Sequence, residues 1–187
     1  MFDPTIFDNL KVAVENEWYD LDNLDGIIVI TNRKDLLDMA SMSREFSLFF
    51  RLAREDRVEA ELVLDTSLRD LAAELLHRQE DHAACGLRFR FRLELGADGI
   101  QEACREVERL VEGIWQPEHK PVQTISSIFG QDSERCLNVI ELRFGRRIGE
   151  AQMDDIPELA KHAVKTLEAL RGLLEPEGAQ QSGHDEG

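Results

Sequence analysis

Three arginines at alternate positions, Arg88, Arg90 and Arg92, come nearest in this chain to residues whose type and spacing do chemistry. They are interleaved with Leu87, Phe89, Phe91, Leu93 and Leu95, the pattern of a strand with one buried face. Alternate residues of a strand share a face, so the three guanidiniums stand in a line. Such a line can hold a phosphate, a carboxylate ligand or an acidic loop of a partner. The competing arrangement uses Glu59, Glu61 and Asp65, which fall on the outer face of a preceding strand. Opposite charges on neighbouring strands form a ladder of ion pairs that stiffens a solvated face and binds nothing.

Other candidates for chemistry fit their templates poorly. His77, Asp81, His82 and Cys85 gather possible metal ligands, but their spacing matches no standard zinc arrangement. Cys104 lies on the apolar stripe of a helix, which predicts a buried, inert thiol. Cys85 and Cys136 open strands with no histidine following the pattern of a nucleophile–base pair. The acids at 20–25 miss the register of a calcium loop, because Leu24 and Asp25 stand where a donor and a glycine are needed. The glycines form neither a phosphate loop nor a dinucleotide fingerprint, and there is no nucleophile elbow. Basic turns at Asn32–Asp35 and Gly145–Arg147 read as contact points at most. No cofactor or metal is expected, and catalysis is not.

The elements that position these residues follow from periodicity. Asp3-Pro4 suits a helix start, and Phe7, Leu10, Val14, Trp18 and Leu21 then recur at helical spacing. Residues 27–31 read as a strand covered on both faces, and 35–43 as a loop or irregular strand. Phe46 to Leu52 and Val58 to Leu64 alternate around the turn at 54–56, which predicts a β-hairpin. Ser67 opens a short helix, and Leu87–Leu95 is the cleanest strand. A helix capped by Asp98 carries Ile100, Val107, Val111 and Ile114. Strands near 122–129 and 135–144 follow, then a helix from Asp154-Asp155 to Leu174. The order is α-β-β-β-α-β-α-β-β-α. It predicts an α+β fold: a mainly antiparallel sheet of five to six strands with helices on one face. Helix–strand–strand units ending near Trp18 and Arg51, and near Trp115 and Arg143, echo one another faintly. With nine Phe among twelve aromatics in 187 residues, the core is expected to be mostly aliphatic.

Composition restricts the partners. A content of 42% apolar and 32% charged residues belongs to a globular chain, here one domain over 1–174. Residues 175–187 carry four acids and no Lys or Arg, and are expected to be a disordered tail. The net charge of −16 therefore leaves −12 on residues 1–174. That balance disfavours nucleic acid and anionic membrane, which need clustered Lys and Arg. Three unpatterned cysteines and a start without the marks of a signal peptide point to the cytoplasm. The expected function is that of a small acidic protein-interaction or regulatory domain, its partner another protein or a second copy of itself. The alternative is an anion-binding or enzymatic domain using Arg88, Arg90 and Arg92.

Overall fold

Alternating apolar residues become the inner face of one antiparallel sheet. A computed structural model describes residues 5–76, 85–130 and 134–174. Its elements are α1 (Thr5–Asn23), β1 (Ile28–Asp38), β2 (Ser43–Leu52), β3 (Val58–Thr66), α2 (Leu68–Leu75), β4 (Gly86–Gly96) and α3 (Ile100–Trp115). β5 (Val122–Ser126), β6 (Arg135–Arg143), a 3-10 turn at Glu150–Asp155 and α4 (Ile156–Leu173) complete them. The strands form a single sheet in the order β1-β2-β3-β4-β6-β5, every neighbour antiparallel. This is the α+β class and the element order that the periodicity predicts.

The inner face joins Phe46, Leu48 and Phe50 of β2 to Ala60, Leu62 and Leu64 of β3 and Phe89 and Phe91 of β4, all buried. Helix residues close over it: Phe7, Leu10, Val14 and Trp18 from α1, Val107 and Val111 from α3, and Ala160, Ala163, Leu167 and Leu170 from α4. Burying an apolar side chain of this size contributes about 1.5–3 kcal/mol, which explains why three separate helices converge on one face. The centre is more aromatic than composition implies. Phe89 lies 6.3 Å from Trp18 and 5.1 Å from Trp115, and Trp18 meets Phe50 edge-on at 5.7 Å. The few large rings stand at inward positions of central strands and at helix ends, so they meet in one cluster.

Three expectations from sequence need correcting. Residues 27–31 are not covered on both faces: β1 is an edge strand, Ile28 is the one buried residue of that stretch and Ile27 is 41% exposed. Residues 35–38 continue β1, and only the turn beyond Asp38 is irregular. Alternation fails there because Arg33 and Asp35, opposite the inward Leu48 and Phe46, are charged. They reach α1 instead: Arg33 Nε donates to Glu15 at 2.5 Å and Lys11 Nζ to Asp35 at 2.7 Å. Asp98 does not cap α3, whose N-cap is Gly99 with a φ of 74°. The Asp3-Pro4 cap, His77–Ala84 and the acidic tail lie outside the described residues.

The faint internal echo has a topological counterpart. In α1-β1-β2 and in α3-β5-β6 the helix is followed by an edge strand and then by the strand beside it. The two units occupy opposite ends of the sheet, so β1 and β5 are equivalent edges.

Candidate functional site

The three arginines stand in a row on the outer face of β4, as alternation requires, and each meets carboxylates. Arg88 Nη1 donates to Asp65 at 2.9 Å and its Nη2 to Glu45 at 2.6 Å. Arg90 Nε donates to Glu141 at 2.7 Å and its Nη1 to Glu61 at 3.4 Å. Arg92 Nη2 donates to Glu61 at 2.5 Å, while its Nη1 lies 4.0 Å from Glu59, too far for a hydrogen bond. The register explains only the bonds of Arg90, which faces Glu61 of β3 and Glu141 of β6. Arg92 reaches diagonally to Glu61 past Glu59 opposite it, and Arg88 diagonally to Asp65 past Val63.

Burial grades the ladder. The Glu61 side chain is only 5% exposed, whereas those of Glu45 and Asp65 are a third or more exposed. Phe49, nearly buried on this outer face, has Lys34 4.9 Å and Arg92 5.6 Å from its ring centroid. Long charged side chains thus cover Val63 and Glu61 on a face that alternation alone assigns to water. On Glu141, burial pushes the carboxyl up, but the hydrogen bonds from Arg90 and Arg143 outweigh it and leave it below its ordinary value. Each guanidinium of the row already donates to at least one carboxylate; Arg88 Nε and Arg92 Nη1 are buried donors left without a hydrogen-bond partner among the described residues.

Two concavities adjoin the sheet. A groove of about 800 Å³ is lined by Arg57, Glu59, Arg92, Glu94, Leu137 and Leu174, among others. Its size suits a ligand, but acids and bases alternate along it and give no field of one sign. A smaller pocket of about 250 Å³ has walls from Leu87, Trp115, Phe144, Ile148 and Leu159, with Arg146 in its lining. That volume is below the roughly 300–1,000 Å³ of ordinary ligand pockets. Trp115 is held there by a 2.8 Å hydrogen bond from Nε1 to Thr166. Among the described residues no group of three or more His, Cys, Asp or Glu side chains is placed to hold a metal ion. Burial pushes the Cys104 thiol up, away from the reactive thiolate.

The remaining feature is the edge at β5. β1 is a guarded edge: its exposed Leu36 and Leu37 stand among Arg33, Lys34, Asp35 and Asp38, and it has a register shift between Ile30 and Asn32. Charges and bulges are the ordinary means of preventing a sheet edge from pairing with another chain. β5 has neither, although it is short, at five residues, and follows Pro121. It reads Val-Gln-Thr-Ile-Ser, and it belongs to a stretch from Pro121 to Gly130 without Asp, Glu, Lys or Arg. Val122 is 57% exposed, Ile125 40% and Phe129 fully, with Ile128 and Leu137 beside them.

β5 is nevertheless held firmly in place. Gln123 Nε2 donates to the Cys104 carbonyl of α3 at 2.7 Å, and fully buried Asn138 of β6 donates to Gln123 Oε1 at 2.8 Å. Sequence reasoning did not single out this edge. The uncharged stretch was the signal for it, in a chain where charged residues are otherwise frequent.

No protein-family model matches this chain, and no curated protein or solved structure is significantly similar to it. Among the described residues no helix is long and apolar enough to cross a membrane.

Proposed function

We propose that this chain works by binding another protein along the β5 edge of its sheet, which has no further strand beside it among the described residues, and carries out no reaction itself. The observation that carries this reading is the contrast between the two edges in charge and regularity. Both expose apolar side chains, Leu36 and Leu37 on β1 and Val122 and Ile125 on β5, but β1 sets them among four charges and has a register shift, whereas β5 is uncharged and regular. An edge strand presents a row of backbone donors and acceptors, and an added strand satisfies them while neighbouring apolar side chains supply the hydrophobic contact. The hydrogen bonds from Asn138 and Gln123 prearrange β5, which lowers the ordering cost of binding. The ion-paired arginine row fits this reading as a scaffold for the neighbouring strands. Three free thiols fit the cytoplasm as its setting.

The test compares the stoichiometric partner retained by the wild type with that retained by two variants. Val122→Lys with Ile125→Lys charges the β5 edge, and Leu36→Lys adds a charge to the guarded β1 edge. Loss with the β5 variant and retention with Leu36→Lys is the expected result. Equal retention by both variants removes the reading.

A further inference from the structure

We infer that the strand completing this edge is β5 of a second copy, which joins two six-stranded sheets antiparallel across a two-fold axis. The inference rests on the reading of β5 as the interaction edge and adds the identity of its occupant. The first argument is electrostatic. A chain of net charge −16 repels its own copies, so two of them meet at least cost where the surface carries no charge. The stretch from Pro121 to Gln131 is the longest in the sequence without Asp, Glu, Lys or Arg. A basic foreign strand would be selected by acids flanking the edge. Here Glu108 and Glu112 of α3 are both engaged by Lys120, which stands just before β5, at 2.8 and 3.8 Å.

The second argument is geometric. A two-fold axis perpendicular to the sheet pairs identical edges antiparallel and keeps both helix layers on the same side. Centred on Thr124, it sets Thr124 against its counterpart, Gln123 opposite Ile125, and Val122 opposite Ser126. All five residues of β5 are then paired. Threonine against threonine is a favourable cross-strand pair. On the outer face Leu137 is the register partner of Ser126, so the exposed Val122 of the second copy joins the row that Leu137 begins. Ile128 and Phe129 continue past the strand toward the start of the second copy's β5.

Sedimentation velocity of the full chain tests the inference, across a range of about 1–100 µM that brackets ordinary dimer affinities. The expected result is a concentration-dependent dimer. Because like-charged copies are being joined, association tightens as salt rises from about 0.05 to 0.5 M; a basic partner behaves oppositely. Ile125→Lys places two charges in the symmetric interface and weakens the dimer by at least about 100-fold. Val122→Lys, whose new ammonium stands opposite Glu141 in β6, does the same and serves if the first variant folds poorly. Leu36→Lys leaves the dimer intact. A wild type that stays monomeric at about 100 µM overturns the second copy as occupant. The variant comparison described above then judges separately whether β5 binds another protein. A dimer that persists in a folded Ile125→Lys or Val122→Lys variant places self-contact elsewhere and overturns the inference directly.

Discussion

Replacing Asp35 with asparagine tests what fastens α1 to the guarded edge. The Asp35 carboxylate accepts hydrogen bonds from Arg44 Nε and Nη2, each at 2.9 Å, and from Lys11 Nζ at 2.7 Å. Arg44 in turn bonds Asp8 at 3.0 Å and lies over the Phe7 ring at 4.8 Å, so α1, β1 and β2 meet at one carboxylate. The hydrogen bonds from Arg44, followed by that from Lys11, hold the Asp35 carboxyl down from 3.8 to about 2 against the opposing effect of burial. At ~1.36 kcal/mol per pH unit, that depression corresponds to roughly 2–3 kcal/mol. Screening at a side chain that is 23% exposed reduces it to roughly 2 kcal/mol. The carboxyl is the stronger acid in the folded state, so its stabilisation is complete well above pH 3.8 and fades as pH falls toward 2. Urea unfolding followed by tryptophan fluorescence at pH 7, 5, 4 and 3 measures it. Asp35→Asn should lose roughly 2 kcal/mol at pH 7, and the gap to wild type should shrink to about half by pH 3. A loss under about 0.5 kcal/mol at pH 7, or a gap as wide at pH 3 as at pH 7, refutes the reasoning.

The arginine ladder should be energetically uneven. Arg92→Ala strips nearly buried Glu61 of its shortest hydrogen bond and should cost about 1–3 kcal/mol. Arg88→Ala, whose partners are more exposed, should cost less than about 1 kcal/mol; chemical denaturation showing the reverse order contradicts the burial gradient. Gln123→Leu leaves the Asn138 side-chain amide buried with Cys104 Sγ at 4.0 Å as its remaining neighbour, and should destabilise by about 1–3 kcal/mol. Adding Asn138→Leu should recover part of that loss, and strictly additive costs would show that the two amides are not coupled.

Much of the fold is legible in the sequence because one-sided burial writes itself as alternation. Leu87 to Leu95 and the hairpin from Phe46 to Leu64 are cases where every second residue faces the helices. The end of β1 is illegible for the opposite reason: Arg33 and Asp35 face inward as charges because Glu15 and Lys11 wait on α1, a contact between distant segments. The Arg88, Arg90, Arg92 row is predictable as a row, and its partners Glu59 and Glu61 follow from the same alternation. Glu45 and Glu141 as further partners depend on β2 and β6 lying on either side of β3 and β4, which is set by topology. The candidate edge is hidden in the same way. The apolar character of Val122 and Ile125 is local, but their exposure follows from β6 inserting between β4 and β5.

Site-specific photo-cross-linking measures the central claim most directly. A photoreactive residue at Ile125 of the full chain reports what touches the β5 edge, and the same residue at Leu36 reports on the guarded β1 edge. The edge contrast, with a second copy as the occupant, predicts a discrete adduct of twice the chain mass from position 125 and none from position 36. No adduct from position 125, or equal adducts from both positions, would contradict it.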